Sequence, residues 1–113
     1  MVYDKARELA KLLGTSEEYK EYKKTQAKAY ENETTKALLK DYHKMQLEAQ
    51  AGVISGKKDD ETMQKLQKIG ELLQMNADAS MYLIAEYRLH AMLGDVYKIL
   101  GDAIDLDLGA LEA

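Results

Sequence analysis

Three groups of residues in this 113-residue chain have types and spacings that could do chemistry. Glu86 and His90 are four apart, so on a helix a carboxylate could orient an imidazole as a base or a metal ligand. Helical di-metal sites instead use Glu and His three apart, with further carboxylates from other helices. That set is missing, and the two residues read as a surface or boundary pair. His43 follows Asp41 and Tyr42 and lies between Lys40 and Lys44, the makeup of a solvated face. The third group interleaves Lys20, Lys23, Lys24 and Lys28 with Tyr19, Tyr22 and Tyr30. Stacking rings beside cations are what a weak single-strand RNA groove needs. Glu17, Glu18, Glu21 and Glu31 cancel those lysines within the same stretch, so nucleic acid is the less favoured partner.

No phosphate loop, nucleophile elbow, zinc spacing or carboxylate dyad is present. The sequence therefore predicts no catalytic residue, no metal ligand and no cofactor, and the chain reads as something other than an enzyme.

Positioning these residues falls to helices. The chain has no proline, so nothing obliges a helix to break. Five helical segments can be drawn: about Val2–Leu13, Glu17–Tyr30, Asn32–Ile54, from Asp59 or Asp60 to Asn76, and 78–104. Gly14 should end the first as a left-handed cap, with Val2, Ala6, Leu9 and Leu13 on its apolar face. Thr15 or Ser16 should cap the second, and Thr15 with Glu18 has the form of a capping box. The third carries a seam of Leu38, Tyr42, Met45, Ala49 and Gly52, and the fourth one of Met63, Leu66, Gly70 and Leu73. Joined by the loop Ser55–Asp59, these two should form an antiparallel hairpin, with the fifth packed along it.

Residues 78–104 form the longest element, about seven turns and roughly 40 Å. Ala85, Leu89, Met92, Val96, Ile99 and Ala103 alternate in steps of four and three, and Tyr82, Leu93, Leu100 and Ile104 widen that seam. Such a broad face must be covered by other helices, from this chain or a second one. Gly94 and Gly101 lie seven apart on it, each costing about 1 kcal/mol against alanine. That cost is expected where another backbone passes closely. Met45, Met63, Met75, Met81 and Met92 read as adaptable core fillers.

Composition bounds the rest. A chain of 113 residues makes one domain with a modest core. Aromatic bulk comes only from eight tyrosines, suited to half-buried flanks and interfaces. Without cysteine no disulfide or thiolate metal site can form, which fits a reducing cytoplasm. No leader-like apolar segment and no bilayer-length apolar run is present. The net charge of −4 is carried by Asp102, Asp105, Asp107 and Glu112 in the last dozen residues, an acidic tail expected to fray. A balanced body with an acidic end has no electrostatic reason to bind a nucleic-acid backbone or an anionic membrane.

Three blocks together carry a resemblance: VYDKARELAKLL (Val2–Leu13) running into SEEYKEYK (Ser16–Lys23), KALLKDYHKMQLEAQ (Lys36–Gln50), and NADASMYLIAEYRLHAMLGDVYKILGDAI (Asn76–Ile104). With an early A–x–x–L–A, an E–Y–x–x–Y step and a late Y–L–x–A–E, the chain resembles the YlbF/YmcA/YheA family of small helical proteins of Gram-positive bacteria, and within it the YheA-like branch. The resemblance implies an all-helical, cytoplasmic, self-associating protein. In that family YlbF and YmcA act with a third protein, YaaT, as accessory factors of RNase Y-dependent mRNA maturation, affecting competence, sporulation and biofilm formation. Their iron–sulfur clusters are held by cysteines, so no position of this cysteine-free chain carries that role.

The expectation is thus an all-α domain spanning residues 1–113, helical hairpins packed on a long C-terminal helix and completed by oligomerisation. It would be a non-enzymatic adaptor or regulator, pairing with itself, with relatives or with RNase Y-associated proteins. The alternatives are a homo-oligomer of independent role and an RNA binder through residues 19–30. The expected interface is Tyr82, Leu89, Leu93, Val96, Leu100 and Ile104, residues that would serve equally as plain core.

Overall fold

In the computed structural model, residues 1–54, 56 and 60–108 are described. Five helices follow one another: α1 (Val2–Gly14), α2 (Glu17–Ala29), α3 (Glu33–Ile54), α4 (Asp60–Gln74) and α5 (Ala77–Ile104). The described residues contain no strand. The loop expected at Ser55–Asp59 lies, apart from Gly56, outside the described residues, as does the tail beyond Leu108.

The helix starts follow from side-chain capping. Ser16 caps α2, its hydroxyl accepting from the Tyr19 amide at 3.2 Å. Thr15 faces the other way, donating to the Lys11 and Leu12 carbonyls, so it closes α1 and forms no capping box with Glu18. Gly14 remains within α1, and Gly56 is the one glycine with a positive φ among the described residues. Asn32 accepts from the Thr35 amide at 3.0 Å, and Asn76 accepts from the Ala79 amide at 3.0 Å. Asn76 also donates to the Thr35 hydroxyl at 3.1 Å, fastening the start of α5 to the start of α3.

α3 and α4 pack as the expected hairpin, but the principal partner of α5 is α2. The reason lies in side-chain size. On α2, Thr25 and Ala29 are buried, and Ala79 and Ala85 are buried on α5. Small residues on both helices allow close approach and leave Tyr82 to fill the space between them. Leu39 of α3 and Leu73 of α4 complete the buried cluster.

That cluster is small. Its large, fully buried side chains are Tyr82, Leu39 and Leu73. The fold measures 46 × 37 × 16 Å with a radius of gyration of 16.6 Å, against about 13 Å for a compact chain of this length. Its accessible surface is 8733 Å², where a compact monomer of this mass exposes roughly 6,300 Å². The protein is a flat slab whose short dimension is about two packed helix layers.

Candidate interaction surface

Two features of the slab carry functional weight: a polar-aromatic knot on one half of α5 and an uncovered apolar face on the other. The knot centres on Tyr82, which is 1% exposed. Its ring meets Tyr22 at 5.5 Å, Tyr30 edge-on at 6.0 Å and His43 edge-on at 6.0 Å. Its hydroxyl lies 3.4 Å from both the Tyr22 hydroxyl and the Gln26 amide nitrogen. Burial, reinforced by the hydrogen bond to Tyr22 and the nearby Glu86 charge, pushes the phenol far above the usual tyrosine range. Tyr82 is held neutral.

Behind the ring, His43 Nε2 lies 2.8 Å from Glu86 Oε2, joining α3 to α5. Both expectations for these groups are corrected here. His43 sits on the inward side of α3 rather than on a solvated face, and Glu86 pairs with it rather than with His90. His90 is exposed. The approach of α3 to α5 decides this, because it brings the His43 imidazole within 2.8 Å of Glu86. Among the described residues, no three of His, Cys, Asp and Glu are grouped to hold a metal ion.

The alternative reading of residues 19–30 as an RNA groove loses its physical basis. Tyr22 and Tyr30 turn inward onto Tyr82, and of the three rings only Tyr19 belongs to the exposed class. A row of open stacking faces does not exist there.

The six residues expected at an interface divide along α5. Tyr82 belongs to the chain's own core. Leu89, Leu93 and Val96 are half-buried, and Leu100 and Ile104 are exposed, as is Ile99 between them. The seam that starts in the core thus emerges onto the surface as α5 outruns the shorter α2. The α1 face is also largely bare: α1 has no buried residue, and Val2, Tyr3 and Leu12 are exposed. Met63, Met75 and Met81 are exposed too, so the filler role expected of the methionines falls to half-buried Met45 and Met92. Between α3 and α4 runs an open groove of about 670 Å³, bordered by Tyr42, Met63, Leu66 and Gly70 with glutamines at its rim.

The two glycines of α5 differ. A Cβ on Gly94 would meet nothing within 4 Å, so no backbone approaches it here. A Cβ on Gly101 would run into the Leu106 carbonyl of the same chain. There Asp105 takes a left-handed conformation and the Leu106 amide donates back to the Gly101 carbonyl at 2.9 Å, closing the helix. The acidic segment as far as Leu108 therefore turns back over α5.

No described helix is long and apolar enough to cross a membrane. Residues 2–105 match the model of a family described as control of competence regulator ComK, YlbF/YmcA. The UPF0342 protein STH1710 of Symbiobacterium thermophilum is 39% identical over 95% of this chain and 96% of its own length. A UPF0342 protein of Clostridium tetani is 41% identical over 95% of this chain and 93% of its own. A chain from the crystal structure of Bacillus subtilis RicA in complex with RicF superimposes with a TM-score of 0.60 at 21% identity, covering 92% of this chain and 93% of that one. At that identity the likeness is one of fold.

Proposed function

The chain belongs to the YlbF/YmcA family, and we propose that it works there as a non-enzymatic helical adaptor, a cytoplasmic regulator that acts by assembling with other helical chains. The observation that carries this reading is the uncovered apolar surface of a slab-shaped monomer. About 2,400 Å² of accessible area exceeds what a compact chain of this mass exposes. Stable protein–protein interfaces take about 800 Å² from each partner, so the excess can accommodate more than one. Large exposed apolar side chains on α1 and α5 supply the driving force.

The partners proposed are a second copy of this chain, so that the working unit is a homodimer or larger, and helical relatives of the same family. The crystal structure of RicA in complex with RicF supports pairing with a second protein, because the fold compared there is the fold adopted here. The finer reading is that the assembly serves RNase Y-dependent mRNA processing, with competence or biofilm formation downstream. It rests on the family's regulatory description and on no residue of this chain.

The test is affinity purification of a tagged copy expressed from its native promoter beside the untagged chromosomal copy, followed by mass spectrometry. Co-purification of untagged copies together with family relatives and RNase Y is expected. Recovery of the tagged chain alone, at monomer stoichiometry, would overturn the proposal.

A further inference from the structure

Resting on the self-assembly reading above, we infer that the first helix of one copy covers the distal half of α5 in a second copy, and that the exchange is reciprocal. Both surfaces are apolar stretches that the chain leaves without cover. On α1, Leu12 is 67% exposed and Val2 and Tyr3 are more exposed still. On α5, Ile99 is 68% and Ile104 60% exposed, with Leu100 beside them and Leu106 on the returning turn. This face of α5 continues the seam that α2 already covers around Tyr82 and Ala85, so it is built to receive another helix.

Charge selects the occupant. α1 carries Lys5, Arg7 and Lys11 against Asp4 and Glu8, a net +1. The stretch 99–108 carries Asp102, Asp105 and Asp107 and no Lys or Arg. None of those three aspartates has an ion-pair partner among the described residues, and neither does Lys11. The cations of α1, Lys11 above all, complement these aspartates. Length also fits: α1 has 13 residues, close to 20 Å of helix, and the seam from Val96 to Leu106 spans about 15 Å. A reciprocal α1-on-α5 exchange forms two such contacts about one two-fold axis, so the dimer closes and leaves neither face open.

The absence of cysteine makes the test direct. Single-cysteine variants are prepared at the exposed α1 positions, Tyr3→Cys and Leu12→Cys, and at the exposed α5 positions, Ile99→Cys, Leu100→Cys and Ile104→Cys. Each α1 variant is mixed with each α5 variant, allowed to exchange subunits, and treated with a short bis-maleimide. In such mixtures a link between an α1 and an α5 cysteine can form only between copies. Sedimentation velocity on the same samples reports the oligomeric state. The expected result is a dimer in which α1–α5 products exceed α1–α1 and α5–α5 products several-fold, with Tyr3 and Leu12 preferring different α5 positions. A dimer that links only like to like, or not at all, overturns the α1-on-α5 contact and leaves self-assembly standing. A monomer overturns both.

Discussion

Replacing Tyr82 with alanine tests the proposed division of labour along α5 most severely. Tyr82 is the largest of the three fully buried large side chains, and three rings pack around it. Removing a fully buried aromatic ring costs about 3–5 kcal/mol. A domain of this size is stable by about 5–15 kcal/mol, and a core this small belongs at the low end. With a urea m-value near 2 kcal/mol/M, Tyr82→Ala should lower the midpoint by about 2 M, measured by circular dichroism at fixed protein concentration. Tyr82→Phe separates ring from hydroxyl. Both hydroxyl contacts are long, at 3.4 Å, so that variant should lose about 1 kcal/mol or less, a midpoint shift of roughly 0.5 M. If Tyr82→Ala unfolded at the wild-type midpoint, Tyr82 would not be core and the assignment of the two halves of α5 would fail. If Tyr82→Phe cost as much as Tyr82→Ala, the hydroxyl rather than the packed ring would hold the knot.

Other outcomes follow from the same geometry. In a double-mutant cycle with His43→Ala and Glu86→Gln, a coupling of about 1 kcal/mol is expected for this partly exposed pair at neutral pH, and additivity would contradict the α3–α5 link. Gly94→Ala should stabilise by up to about 1 kcal/mol, because a methyl group there meets nothing. Gly101→Ala should instead displace the turn at Leu106, seen as faster hydrogen exchange at the Leu106 amide; equal effects of the two changes would refute the close approach at Gly101. Burial raises the Tyr82 pKa in the folded chain above its unfolded value near 10, so stability should fall as pH rises past about 10, where only the unfolded chain releases that proton. An ultraviolet titration should show one hydroxyl withheld until unfolding and absent in Tyr82→Phe. Simultaneous titration of all eight tyrosines in the folded protein would contradict it.

Helix content and the extent of α5 were legible because the absence of proline and the four–three apolar steps act locally. Partners were less legible. The stretch 19–30 shows Lys, Tyr and Glu mixed together, and only the inward turn of Tyr22 and Tyr30 onto Tyr82 reveals that its rings are core. The burial of small Thr25 and Ala29 on α2 was the missed signal for its close packing on α5. His43 was hidden for the opposite reason. Its lysine and aspartate neighbours face solvent, and helical rotation alone turns the imidazole toward Glu86, forty-three residues away. Capping at Asn76 illustrates the limit of local reading, since the same side chain caps the start of α5 and ties it to α3 through Thr35.

Assembly of this chain is proposed to run through the apolar surface that its own fold leaves bare. Sedimentation equilibrium of the purified, untagged protein across micromolar concentrations tests it most directly. The expected mass is at least twice the 12.8 kDa of the chain, reduced toward the monomer by Ile99→Asp together with Leu12→Asp while helicity is retained. A wild-type protein that stays at 12.8 kDa throughout that range would contradict it.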